Sequence, residues 1–219
     1  DNEATYGPEM YRLGFGEAVE RDLLTDYKVL VLAVDEESVA RTFQQQLSDS
    51  NNELRLDDAA KLVGCWNGLA KIGRAEHTFE PDTAPMKRAV AFAGNIRDSR
   101  RVEKLFTDIT GHYARTNGLE KDGRIPLECQ VQHVDGTFNA LARNQLLDWL
   151  QDEPAENAAR ILTNARCLSE GVDVPALDAV MFLSPRKSVV DIVQSVGRVM
   201  RKAEGKKFGY IILPVGIPA

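Results

Sequence analysis

Short apolar runs alternate with stretches of helical periodicity along most of the chain. The runs occupy residues 27–34, 89–93, 127–134, 179–183 and 209–214, and a further one ends at Ile161 and Leu162. Those at 27–34, 89–93 and 179–183 are close to continuously apolar, the pattern of a strand covered on both faces. Strands so covered pair in parallel, and parallel neighbours need a crossover rather than a tight hairpin. The helical stretches supply the crossovers. The expected fold class is therefore α/β: a doubly wound, mainly parallel sheet with helices on both faces and right-handed βαβ units.

Several helices can be placed in advance. Leu56, Ala59, Leu62, Val63, Trp66, Leu69 and Ala70 keep helical spacing within residues 54–72. Val102, Leu105, Phe106, Ile109 and Tyr113 do so after Ser99, and Phe138, Leu141, Leu147 and Leu150 face inward from a helix over 137–150. Residues 15–24 suit a short helix. Asp35-Glu36-Glu37 opens another, over 37–47, where the helix dipole favours carboxylates. That triplet mimics a metal-holding DExx, but such a motif needs a GxxxxGK[ST] phosphate loop, and the chain has none. Residues 1–26 read as a linker segment and 27–219 as one domain. Within it, about 51–88 reads as a helical insertion whose later part, with Pro81 and Pro85, is loop.

Composition removes several function classes. An apolar content of 43% supports a real core. A net charge of −6 means that any nucleic-acid contact must come from a local patch. No apolar run approaches the ~18 residues of a membrane span, so no membrane partner is expected. Cys65, Cys129 and Cys167 form no CxxC pair and no disulfide framework, as in a reduced, cytoplasmic protein. His77, His112 and His133 have no ligand spacing with them, so no metal site is expected on this chain.

Residues 161–201 carry the most chemistry. A strand end is followed by a polar loop with Glu170, Gly171, Asp173 and Pro175, then a second strand, then a helix expected over 188–202. At about 100° per residue, Gln194, Arg198 and Arg201 share one stripe, opposite Val189, Ile192, Val196, Val199 and Met200. Gly197 interrupts the helix at a cost of about 1 kcal/mol, which usually has a packing or close-approach reason. Guanidinium forks suit phosphate, and a Gly/Asp loop at a strand end is where parallel α/β sheets bind ligands. Upstream, Gly94, Asn95 and Ile96 leave the 89–93 strand. Arg97, Arg100 and Arg101 crowd the start of the next helix, where backbone N–H groups also favour anions.

The octapeptide Gln194-Ser195-Val196-Gly197-Arg198-Val199-Met200-Arg201 resembles motif VI, QxxGRxxR, of superfamily 2 helicases. Residues 163–175, TNARCLSEGVDVP, resemble motif V, and residues 88–106 resemble motif IV, in the family's order and at plausible spacing. The resemblance covers most of the chain. It is to the second RecA-like motor domain of a DEAD/DEAH or restriction-type helicase or translocase.

The resemblance implies roles. Arg201 would be the arginine finger, Arg198 its partner on the γ-phosphate, and Gln194 would order water or phosphate. Glu170, Gly171, Asp173 and Gly197 fall on the nucleotide side, with Asp173 bonding the ribose or linking nucleotide to nucleic acid. Thr163, Asn164, Asn95 and Arg97 would meet nucleic-acid phosphates, as would Arg186. The implied cofactors are ATP and Mg²⁺, with the Mg²⁺ ligands and phosphate loop on a first motor domain of the same parent chain, which is also the implied partner. The nucleic acid implied is DNA, with RNA the alternative. A non-catalytic nucleic-acid or protein interaction module that kept the RecA-like fold is the competing reading. The intact set of Gln194, Gly197, Arg198 and Arg201 argues against it, since a binding-only domain needs no γ-phosphate stripe.

Overall fold

A computed structural model describes residues 7–8, 10–44, 55–72, 79–118, 125–165, 177–186 and 188–217. Six strands, β1 (Asp26–Asp35), β2 (Arg88–Phe92), β3 (Glu128–Val134), β4 (Ala158–Asn164), β5 (Ala179–Phe182) and β6 (Phe208–Ile217), form one sheet. Its order is β1-β6-β5-β2-β4-β3, and every neighbouring pair is parallel. The helices are α1 (Phe15–Glu20), α2 (Glu36–Thr42), α3 (Leu56–Leu69), α4 (Ile96–Thr116), α5 (Ala140–Gln151) and α6 (Val189–Val199). The expected doubly wound α/β fold is the observed one.

The strands divide their side chains between two cores, as the period of two requires. Leu30, Ala89, Ala91, Ile161, Met181 and Ile212 pack with Val39 of α2, Trp66 of α3 and Phe106 of α4. Val90, Phe92, Leu162, Val180 and Ile211 face the other way, onto Leu150 of α5 and Val196, Val199 and Met200 at α6. α3, set apart in the sequence as inserted, lies in the first core. Trp66 is 1% exposed, and its Nε1 donates to the Leu127 carbonyl at 2.9 Å. Asp35 does what its place before a helix suggests. It caps α2, its carboxylate accepting from the Glu37 N–H at 3.1 Å.

Three expectations need correction. Residues 27–34 read as a strand buried on both faces, yet β1 is an edge strand and one of its faces is open. Val29 and Val31 are 50% and 64% exposed, and Val215 and Ile217 of β6 continue that face. α5 begins at Ala140 rather than Thr137. Asp135 turns the chain first, accepting from the Thr137 N–H, and Asn139 is the cap, accepting from the Ala142 N–H at 2.8 Å. Leu141 then falls in the first turn, 69% exposed instead of inward. Finally, α6 ends at Val199 with Met200 as its C-cap, and Val189 is exposed rather than part of the buried face. Among the described residues, no helix is long and apolar enough to cross a membrane.

Candidate functional site

The C-terminal ends of β2, β3 and β4 surround a cleft of about 660 Å³ lined by Gly94, Asn95, Ile96, Arg97, Asp135, Gly136 and Ala165. Its floor is the start of α4. Asn95 caps that helix, its Oδ1 accepting from the Asp98 N–H at 2.9 Å while its Nδ2 donates to the Asp98 carboxylate at 2.7 Å. Arg97, one residue into α4, is exposed on the rim. Arg100 donates to Asp135 at 2.9 Å. Arg101 turns inward, 9% exposed, to pair with Asp58 of α3 at 2.7 Å. The three arginines thus part company, and Arg97 is the one presented to a ligand in the cleft.

Behind the cleft runs a buried polar chain. Asp135 is 1% exposed and accepts from Thr137 through Oδ1 and from Arg100 and His133 Nε2 through Oδ2. His133 Nδ1 lies 2.7 Å from Ser99 Oγ, which lies 3.0 Å from Thr163 Oγ1. A carboxylate only accepts, so Nε2 carries the ring proton. In the neutral ring, Nδ1 then takes the Ser99 proton, and Thr163 donates to Ser99. Ser, His and Asp in this order are the residue types of an acyl-transfer triad. Ser99 is 0% exposed, however, so it meets no substrate. The chain is a brace that ties the start of α4 to the ends of β3 and β4.

The hydroxyl of Thr137 and then the His133 ring hold the Asp135 carboxyl well below the usual range. A carboxyl so depressed stabilises the fold fully above the ordinary aspartate value of about 4, and the contribution fades as pH falls toward the folded value. Asp135→Asn should lower stability by about 1.5–3 kcal/mol at neutral pH. Its deficit should narrow in acid. Urea denaturation at neutral pH and at about pH 3 checks both parts, and a deficit that widens in acid contradicts the assignment.

Thr163 and Asn164 do not reach the cleft. Both are 0% exposed; Thr163 is held by Ser99, and the Asn164 amide donates to the Ala91 carbonyl at 3.2 Å. Their side chains support the edge instead of contacting a phosphate directly, because β4 is an interior strand and its last residues are still covered. Arg186 is placed nearby. Its Nη2 donates to the Ala165 carbonyl at 3.1 Å, and its guanidinium lies over the Phe92 ring at 4.8 Å.

The second group of candidates lies on α6, which runs back from the ends of the strands toward their starts. Gln194 is exposed and Arg198 half-buried. Arg201 lies just past the helix, its N–H donating to the Arg198 carbonyl at 3.2 Å. The helix end sits against the start of β6, where a Cβ on Gly209 would come within 2.3 Å of the Val199 carbonyl oxygen. Glycine is thus required at 209. At 197 it is not: a Cβ there would sit 3.8 Å from the Phe15 ring, an ordinary contact. Among the described residues, packing gives no reason for Gly197. Glu170, Gly171 and Asp173 lie outside the described residues. Cys65 and Cys129 are buried, and burial pushes both thiols up, which removes them as nucleophiles.

Arg97 and Asn95 at one edge and Arg198 and Arg201 at the other were legible as motifs. Asp135, His133 and Ser99 were not. The signal for Asp135 was an Asp-Gly turn, and nothing local joins Ser99 to His133.

A family model for the "Helicase conserved C-terminal domain" matches residues 83–203, more than half of the chain. The chain belongs to the helicase conserved C-terminal domain family. It is the C-terminal RecA-like domain of a superfamily 2 helicase-type protein. Among solved structures, the domain is similar to the ATP-dependent type ISP restriction-modification enzyme LlaBIII bound to DNA. The two are 47% identical with a TM-score of 0.86, over 100% of this chain and 14% of that one. A fragment assigned to the HsdR subunit of a type I restriction enzyme from Vibrio vulnificus YJ016 shares the fold. Its TM-score is 0.61 at 16% identity, over 96% of this chain and 36% of that one. A protein of African swine fever virus named as a probable helicase is 37% identical over 79 residues, 36% of this chain and 9% of that protein. The domain spans a small part of each of these relatives.

Proposed function

We propose that this domain is the second motor domain of an ATP-dependent helicase or translocase acting on DNA, in a longer parent of the restriction type. The observation that carries the reading is the 47% identity along the whole chain to an enzyme described as ATP-dependent and bound to DNA. The domain fits the role of a lid on a nucleotide held elsewhere. It has no phosphate loop, and among the described residues no His, Cys, Asp and Glu cluster could hold a metal ion. Mg²⁺ and the phosphates of ATP are assigned to a first motor domain of the parent. This domain offers arginines. Arg201 is assigned as the arginine finger, Arg198 as its neighbour on the γ-phosphate, and Gln194 as the group that orders water or phosphate. In a phosphoryl transfer the protein's main work is positioning and charge stabilisation, and planar guanidinium forks supply both. Gly171, Asp173 and Glu170 are assigned to the nucleotide side with them. Gly197, with no packing demand among the described residues, is assigned as a point of close approach on that side.

The other edge is assigned to DNA. Asn95 and Arg97 lie beside the N–H groups that open α4, Arg186 sits beyond Ala165, and the Ser99–His133–Asp135 brace keeps the edge in shape. With a chain charge of −6, binding must be local and salt-sensitive. Arg97→Ala should weaken DNA binding and lower the log–log salt slope by roughly 0.7–0.9. Titrating labelled DNA at several salt concentrations tests it, and an unchanged slope removes Arg97 from the interface. DNA-stimulated ATP turnover by the full-length parent, compared with RNA-stimulated turnover, tests the function as a whole.

A further inference from the structure

The C-terminal end of α6 is held from outside the helix at three successive carbonyls. Lys206, from the loop between α6 and β6, donates through Nζ to the Val199 carbonyl at 2.6 Å and to the Arg201 carbonyl at 3.0 Å. The Thr25 N–H, just ahead of β1, takes the Met200 carbonyl at 2.7 Å, and its hydroxyl reaches the Arg201 carbonyl at 3.4 Å. The last carbonyls of a helix have no partners within it, and its C-terminal dipole favours a cation there. Lys206 answers both needs with one ammonium group, and one of the carbonyls it holds belongs to Arg201 itself.

We propose that Lys206 is a positioning residue for Arg201: its ammonium group clamps the peptide from which the guanidinium projects and so fixes the guanidinium's direction toward the nucleotide. The inference rests on the assignment of Arg201 as arginine finger. The ammonium is half-buried, and desolvation, partly offset by the Asp178 carboxylate, lowers its pKa to about 8. Asp178 lies at the start of β5, where it accepts from the Lys87 and Arg88 N–H groups at 2.8 and 2.9 Å. Arg88 on β2 also faces Asp178, which in turn faces Lys71, salt-bridged to Asp82, and Tyr210 on β6. Glu204 and Lys202 share the loop, and Lys202 pairs with Asp22. A folded pKa below the ordinary lysine value means that the charged clamp costs stability at neutral pH. The fold gains from this group as pH rises past about 8. Loss of the proton leaves two N–H groups but removes the charge that strengthens their bonds to the Val199 and Arg201 carbonyls, so it should loosen Arg201 without melting the domain.

The test uses the full-length protein that contains this domain. DNA-stimulated ATP turnover is followed from about pH 6.5 to about pH 9.5, where the kcat profile reports groups in the enzyme–substrate complex. Wild type should show an alkaline fall in kcat with a midpoint near 8. Lys206→Met should lower kcat about ten- to a hundredfold at neutral pH, as small misplacements of catalytic groups do. It should also flatten the alkaline fall, leaving KM for ATP and the melting temperature close to wild type. Lys206→Arg, charged throughout, should move the fall beyond the range. Arg201→Ala is measured beside them. If Arg201→Ala keeps its turnover, the assignment of Arg201 fails. If Arg201→Ala loses turnover while both Lys206 variants keep wild-type kcat and profile, this inference fails and the other stands.

Discussion

Arg201→Ala in the full-length parent should lower kcat for ATP by about 10³–10⁵ and leave the apparent affinity for ATP nearly unchanged. Charge spreads over the γ-phosphoryl oxygens in the transition state, and a finger meets it there. Nucleotide binding in the ground state depends on a phosphate loop, which this chain does not carry. An interaction made only in the transition state lowers kcat and kcat/KM together when it is removed. Arg201→Lys should not restore turnover, because a point charge cannot replace a planar fork. The domain itself should melt as wild type does, since the Arg201 side chain is partly exposed at a helix end and its carbonyl keeps its partners.

The second large effect is on stability. Trp66→Ala should cost the chain about 3–5 kcal/mol, a large share of the ~5–15 kcal/mol typical of a domain. The side chain is 1% exposed, its ring meets Tyr113 of α4 edge-on at 6.3 Å, and its N–H is the partner of the Leu127 carbonyl. Removal leaves a cavity and an unpaired carbonyl together. Leu141→Ala is the control: at 69% exposure it should change stability by under about 0.5 kcal/mol. Urea denaturation of both variants checks the pair. A cost below about 1 kcal/mol for Trp66→Ala would mean that α3 is appended to the fold rather than part of its core.

The fold was legible because strands such as 89–93 and 179–183 are apolar on both sides, and only a covered parallel sheet accepts such runs. β1 shows the limit of that signal. Its sequence is as apolar as the others, but strand order decides which strand ends at the edge, and strand order is not local information. The start of α5 was missed for a local reason: the Asp135 carboxylate offered the Thr137 N–H a partner before a helix could. Arg201 was placed on the last turn of α6, but the helix ends at Val199 with Met200 as its C-cap, where Thr25 and Lys206 take the end carbonyls. Thr163 sits within a motif, and the motif does not say that an interior strand keeps its last hydroxyl covered. The brace from Ser99 through His133 to Asp135 joins three elements, and no spacing rule connects them.

Single-turnover hydrolysis by the full-length Arg201→Ala variant, with DNA present and ATP already bound, tests the role of Arg201 most directly. The prediction is wild-type occupancy by ATP and cleavage of the γ-phosphate slower by orders of magnitude, in a protein that melts like wild type. Cleavage at close to the wild-type rate would contradict it, and would leave Arg201 a surface residue of a domain that acts in some other way.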